Sequence, residues 1–356
     1  MKMYDLAKSL ILISFFCFLV ACHSTDEMDA DVAVNGFDTL ISYMESEADF
    51  VNAPDTPFLI SAPEIYSNLQ NNYLVIDIRS SEEYEKARIK GSVHVLPKDV
   101  IPFLENDIHA PGFEKIALVC NGGHESAYVA MAARYLGYSN VYPIRNGLSS
   151  WDYSIAREHR LKNISDSQID NLVTTGFQMN PAGEFPVIKT TRSDGYEILR
   201  DRIIEILSDD ITDRFITIDD VMDDRESYYL ISYWPESRYN RGHLPGAIRY
   251  QPKNALRSDK SLNTLPLDMP IVIQCFMGTH SNFVTLYLNI LGYDAKSMVY
   301  GANSFMYSIM KEEESPGRHF AEEKDIFHYP MISDEGAITP GEVIEPVQKV
   351  IPDGGC

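Results

Sequence analysis

The sequence predicts an α/β chain made of two copies of one unit, each a central mostly parallel sheet flanked by helices, and three observations carry that expectation. A set of residues recurs at a fixed offset of 155: Cys120/Cys275, Gly123/Gly278, Ser126/Ser281 and Gly137/Gly292, with Tyr84/Tyr239 and Gly91/Gly246 upstream. A register held over about fifty residues marks an internal repeat. Each copy also holds short, wholly apolar runs bounded by turns, the pattern of strands buried on both faces. Finally, each cysteine loop leads into a segment of helical spacing that stops at a glycine, a natural C-cap.

In chain order, residues 1–21 read as an export signal. Lys2 and Lys8 supply the charged start and Ser9–Ala21 an apolar core of 13 residues, shorter than the roughly 20 that span a bilayer. The segment ends Leu19-Val20-Ala21-Cys22, which resembles the bacterial lipobox and implies lipidation of Cys22. Residues 22–55 open on a small, polar, acidic stretch and are expected to form a tether. The first unit covers 56–155: strands at Tyr73–Asp77 and Ile116–Val119, a helix over Ser126–Leu136, then a short strand at 140–142 and a turn at Gly147. A connector over 156–211 carries an amphipathic helix, Tyr196–Leu207, expected to pack against the units. The second unit, 212–312, repeats the order with strands at Tyr229–Ile231 and Ile271–Ile273 and a helix over Ser281–Leu291. Residues 313–356 read as an extended tail. Strand, loop, helix and strand in succession imply a parallel sheet.

Composition narrows the function. At 356 residues, 45% hydrophobic and 23% charged, the chain suits two globular domains. A formal charge of −22 excludes nucleic-acid binding through bulk electrostatics. Of 5 cysteines, Cys17 leaves with the signal and Cys22 takes the lipid, so Cys120, Cys275 and Cys356 remain as thiols. Two of them at equivalent places in separate repeats do not make a disulfide framework; a reactive role fits better. Cys356 ends a Gly-Gly tail and reads as an incidental thiol.

The first loop is Cys120-Asn121-Gly122-Gly123-His124-Glu125-Ser126 and the second Cys275-Phe276-Met277-Gly278-Thr279-His280-Ser281. A strand ending in Cys, a tight loop and a helix N-terminus form a nest of inward-pointing N–H groups. Such a nest stabilises a thiolate and is expected to lower the thiol pKa from about 8.5; it also suits a bound persulfide. These two heptapeptides are the candidate site, with Cys275 and Cys120 as nucleophiles and the other loop residues as binding groups. His124 and His280 are either proton donors and substrate contacts or plain polar loop residues. A single Cys and a single His per loop do not make a metal site.

The loops follow the Cys-x-x-Gly-x-x-Ser form of rhodaneses. Leu74-Val75-Ile76-Asp77-Ile78-Arg79 resembles that family's strand and Asp-x-Arg signature, and Tyr239-Asn240-Arg241-Gly242-His243-Leu244-Pro245-Gly246-Ala247 its Gly-His-Ile-Pro-Gly-Ala segment. The chain therefore resembles a tandem rhodanese, a two-domain sulfurtransferase. The resemblance implies ping-pong transfer of sulfane sulfur from a donor such as thiosulfate, polysulfide or a persulfide to a thiol or cyanide acceptor through a cysteine persulfide, with no metal or cofactor. With the lipobox, it implies a place in the bacterial cell envelope, membrane-anchored through Cys22. Two departures stand out. Many family loops carry Arg five residues after Cys, where this chain has Glu125 and His280. The second copy replaces Asp-x-Arg by Ser232-Tyr233-Trp234. Glu125, if it faces Cys120, raises its pKa, so Cys275 is expected to be the main nucleophile. In the family segment, Arg241 and His243 read as structural. The alternative is a non-catalytic binding or sulfur-carrier module; a phosphatase is discounted because neither loop has the Arg that binds phosphate.

Overall fold

The structure, a computed structural model, describes residues 33–54, 56–312 and 318–338; the segment expected to be an export signal, Cys22 and Cys356 lie outside the described residues. Strand β1 (Val34–Asn35) and helix α1 (Phe37–Glu47) come first. The first sheet uses β2 (Tyr73–Asp77), β3 (Val93–His94), β4 (Lys115–Val119) and β5 (Val141–Pro143), with helix α2 (His124–Tyr135) between the last two. A connector supplies β6 (Lys189–Thr190) and α3 (Gly195–Ser208). The second sheet uses β7 (Phe215–Ile216), β8 (Tyr229–Ser232), β9 (Ile248–Arg249), β10 (Ile271–Gln274) and β11 (Ala295–Met298), with helix α4 (Thr279–Ile290) before β11.

The two sheets have one topology. Their orders are β3-β2-β4-β5 and β9-β8-β10-β11-β7, parallel throughout. A parallel bridge from Ile60 to Ile144 stands where β7 stands in the second sheet. The register repeats as well: Asp77 faces Val119 and Ser232 faces Gln274, both rungs just before a cysteine. Even a side-chain bond is duplicated, since Tyr84 donates to Ser92 O and Tyr239 to Ala247 O, each at 2.6 Å. β4 and β10 are central and buried along both faces, which is why they are apolar runs without alternation.

Helices α2 and α4 pack on each other between the sheets and are buried almost all round. That burial explains the apolar or small residues on every side of both helices. Phe58 stacks on Phe283 with centroids 4.7 Å apart, and Asn289 Nδ2 donates to Tyr128 OH at 3.0 Å. One apolar cluster runs from Ile76 and Leu118 on one sheet to Ile231 and Ile273 on the other. The connector helix α3 begins at an Asp194 N-cap and packs against α1 and α4. Its Arg202 donates to Ile290 O at 3.1 Å and Asn289 O at 2.8 Å, satisfying carbonyls at the end of α4.

Two expectations need correction. Residues 34–54, assigned to the tether, are folded: β1 pairs antiparallel with β6, and Phe37, Leu40, Ile41 and Met44 of α1 are buried against the connector helix. The acidic composition of the preceding stretch concealed the apolar stripe of α1. Residues 318–338, assigned to an extended tail, lie across both halves. Phe320, Tyr329 and Met331 are buried, and Trp151 Nε1 donates to Pro330 O at 3.2 Å. Among the described residues no helix is long and apolar enough to cross a membrane.

Candidate active site at the two cysteine loops

Each cysteine is the first residue after its central strand, so the chain must turn into a helix within three residues. Gly123 and Gly278 make that turn at φ +87° and +83°. A Cβ there would lie 3.0 Å from Gly147 N in the first loop and 2.8 Å from Tyr300 N in the second, so both conformation and space demand glycine. Those neighbours belong to a second loop that clamps each cysteine. Asn146 and Gly147, like Tyr300 and Gly301, are consecutive left-handed residues. Immediately after them, Leu148 N donates to Cys120 O at 2.8 Å and Ala302 N to Cys275 O at 2.9 Å. This clamp escaped the sequence analysis because Gly147 and Gly301 stand 154 apart, one residue out of register with the repeat.

The sulfurs face the helix starts. Cys120 Sγ accepts from Gly123 N at 3.2 Å and Ser126 N at 3.4 Å, with Ser126 Oγ 3.4 Å away. Cys275 Sγ accepts from Ser281 N at 3.4 Å and lies 3.6 Å from Ser281 Oγ, which also bonds to Gly278 O and Ser297 Oγ. The donors expected of an anion nest are therefore present at both cysteines.

The electrostatics differ from the expectation. Cys120 is 3% exposed and Cys275 0%. Burial pushes the Cys120 thiol far up, and the Glu125 carboxylate adds to that by charge and by hydrogen bond; Ser126 pulls the other way. The lowered thiol pKa predicted from the nest does not hold at Cys120, because desolvation outweighs two N–H donors. Both loop histidines are buried and neutral, each held at about 3, by burial and then by Arg160 for His124 and Lys253 for His280. His124 Nε2 accepts from Tyr300 N at 3.3 Å and its Nδ1 faces the Asn282 amide at 3.3 Å, so it joins the two halves. Among the described residues neither ring nitrogen of His280 has a partner, and its ring meets Tyr233 edge-on at 5.0 Å.

The walls also differ. Asn121 donates to Glu83 at 2.6 Å and accepts from Arg79 at 3.4 Å, and Arg79 is paired with buried Asp77 at 2.7 Å. The equivalent of Asn121 is Phe276, stacked on Trp234 at 5.6 Å and covered by the Arg318 guanidinium at 4.5 Å. Asn303 ties Phe276 O and Arg318 O together, at 2.8 and 2.9 Å. Met277 is buried, while Thr279 is half-buried at the start of α4. Gly122 and Met277, at equivalent places, both offer their carbonyls to Arg160, a residue of the connector that the sequence analysis passed over. His243, expected to be structural, is wholly buried and stacked on Tyr239 at 3.5 Å.

Residues 61–154 match the family model described as Rhodanese-like domain. This segment is similar to rhodanese-like domains. A Bacillus subtilis protein named for sulfur carriage, YrkF, is 30% identical over 77 residues, 22% of this chain and 40% of that protein. The tRNA uridine(34) hydroxylase of Buchnera aphidicola is 26% identical over 132 residues, 35% of this chain and 38% of the hydroxylase. The chain thus spans about two fifths of the length of these curated relatives. Among solved structures, a thiosulfate sulfurtransferase from Pseudomonas aeruginosa is similar at 18% identity over 74% of this chain and 46% of its own, with a TM-score of 0.29. A rhodanese-related protein from Thermoplasma volcanium is similar at 25% identity over 29% of this chain and 93% of its own, TM-score 0.23. The matched segment contains Cys120 and its clamp; Cys275 lies outside it.

Proposed function

We propose that the chain is a tandem sulfurtransferase, with units at 56–155 and 212–312, that carries sulfane sulfur on Cys275 and uses Cys120 as a second sulfur site. The observation that supports this best is the duplicated nest: two cysteines, each ending a central parallel strand, each with helix-start N–H groups turned to its sulfur. The Cys275 thiolate attacks the outer sulfur of thiosulfate, the bond between the two donor sulfurs breaks, and sulfite leaves with the electron pair. The persulfide anion rests among the N–H donors. Cyanide or a thiolate then attacks the outer sulfur and departs with it, returning Cys275 as thiolate. Cys275 is the better nucleophile because no carboxylate stands in its loop, whereas at Cys120 Glu125 adds to the burial that keeps the thiol protonated. Since both sulfurs are buried, a donor reaches them only when a wall opens. A polysulfide or protein persulfide suits loops that lack the family's arginine.

The raised Cys120 thiol favours a second reading for that loop, a sulfur carrier whose thiolate takes the outer sulfur from a persulfide such as that on Cys275, releasing the donor cysteine as thiolate, and not from a small donor. Intact mass after incubation with thiosulfate or polysulfide tests both. The expected result is a gain of one sulfur, discharged by cyanide, lost in Cys275→Ser and kept in Cys120→Ser. Full loading of Cys275→Ser would transfer the main role to Cys120, and no loading of free-thiol protein by either donor would sink the enzyme in favour of a binding module. The same proposal anchors the chain in the bacterial envelope through lipid on Cys22; membrane fractionation of Cys22→Ser should then release it, and an unchanged membrane fraction would refute the anchor.

A further inference from the structure

Arg160 lies at the end of an irregular helical turn in the connector and is 1% exposed. One arm of its guanidinium, Nη1, donates to Gly122 O at 3.3 Å, and the other, Nη2, to Met277 O at 3.4 Å. Those two residues stand 155 apart, so a single side chain joins equivalent atoms of the two cysteine loops. Tyr300 and Phe320 lie across the guanidinium at 5.2 and 5.0 Å. Nε has no hydrogen-bond partner and, among the described residues, no carboxylate forms an ion pair with Arg160. A guanidinium in such a place is expensive unless an anion compensates it.

The groups that act on it are Tyr300, Asp325, Cys120 and Cys275, and it acts in turn on His124. Burial lowers its pKa only to about 10, so it is charged at neutral pH. Asp325 is half-buried, with the pKa of its carboxyl raised by desolvation, and accepts from Ala321 N at 2.7 Å. Glu125 also acts on Tyr300 and Cys120. Beside the Asp325 carboxylate, the anions that can answer the guanidinium are the two sulfurs, when ionised or persulfidated. Neither loop has a cation of its own: position five after each cysteine is Glu125 or neutral His280.

We propose that Arg160 is one cation shared by both cysteine loops, a positioning residue that holds the third peptide of each and stabilises an anionic sulfur in either. The inference rests on reading the cysteines as sulfur sites, but its test does not use sulfur transfer. A small neutral alkylating agent, chloroacetamide, is applied at fixed pH below both thiol midpoints, and the rate at Cys120 and at Cys275 is read separately by peptide mass. In that range the rate follows the thiolate fraction. Losing a nearby opposite charge raises a thiol pKa by about one unit or more, so Arg160→Gln should slow both thiols about tenfold. A merely structural role predicts the reverse, since a loosened wall exposes the sulfurs and speeds alkylation. Faster or unchanged rates in Arg160→Gln, or slowing at one cysteine alone, overturn the proposal. If that variant does not fold, Arg160→Lys carries the test. An ammonium keeps the charge but cannot fork to two carbonyls, so one thiol should hold its rate within about twofold while the other slows about tenfold. Rates unchanged at both thiols in Arg160→Lys overturn the proposal too. A protein that loads no sulfur but shows these rates would refute the proposed function and leave the shared cation standing.

Discussion

The first and second cysteine loops share a backbone and little else. In both, a left-handed glycine, a clamp of two left-handed residues and a helix start surround the sulfur in the same way. Around the first, the wall is ionic and polar: Asp77, Arg79, Glu83, Asn121 and Glu125. Around the second it is aromatic: Trp234 and Phe276, closed over by Arg318 and Phe320. The sulfur nest is thus a property of main-chain geometry and survives replacement of nearly every neighbouring side chain. What the replacements change is the charge around the sulfur.

That contrast can be broken most directly at the rungs beneath the cysteines. Asp77→Asn leaves Arg79 buried without its counter-charge and should cost about 3–5 kcal/mol by denaturant unfolding. The equivalent position is filled by neutral Ser232, which accepts from Gln274 Nε2 at 2.7 Å. Ser232→Ala should therefore cost only about 1–2 kcal/mol. Similar losses for both would mean that the ion pair is not what distinguishes the halves.

The histidines sharpen it next. His124→Leu removes two hydrogen-bonding contacts and should destabilise by about 2 kcal/mol, while His280→Leu, which removes unpartnered nitrogens, should be neutral or stabilising. Both folded histidines titrate near 3, against an unfolded value of 6.5. Below pH 6.5 the unfolded chain takes up protons that the folded one refuses. Stability present above 6.5 is then lost as pH falls toward 3, at about 1.4 kcal/mol per pH unit for each histidine. His280→Leu should flatten that acid limb; a limb of unchanged slope, followed by thermal melting, would show that His280 is not buried neutral.

The smallest effect tests the charge difference itself. Glu125→Gln removes the second-largest cause of the raised Cys120 thiol and should speed its alkylation about tenfold at fixed pH. Cys275 should change far less. Equal acceleration of both thiols would point to loosening of the shared core rather than to charge.

Sequence alone determined the repeat, the parallel sheets and the two cysteine nests. Each is encoded locally: apolar runs for central strands, glycine where φ must be positive, a fixed offset for duplication. Glu125 was also legible as a group that raises the Cys120 thiol. The fold of residues 34–54 and 318–338 was not, because an amphipathic helix in an acidic context and a Pro-dotted strap acquire their order from surfaces formed elsewhere in the chain. The extent of burial had the same origin: a nest of N–H groups predicts a lowered thiol pKa, and only the packing of α2 on α4 shows that desolvation prevails. Arg160 was hidden for the most basic reason. A residue that serves two equivalent loops at once has no counterpart at offset 155, and a single arginine in a connector carries no pattern until the tertiary structure brings two carbonyls to it.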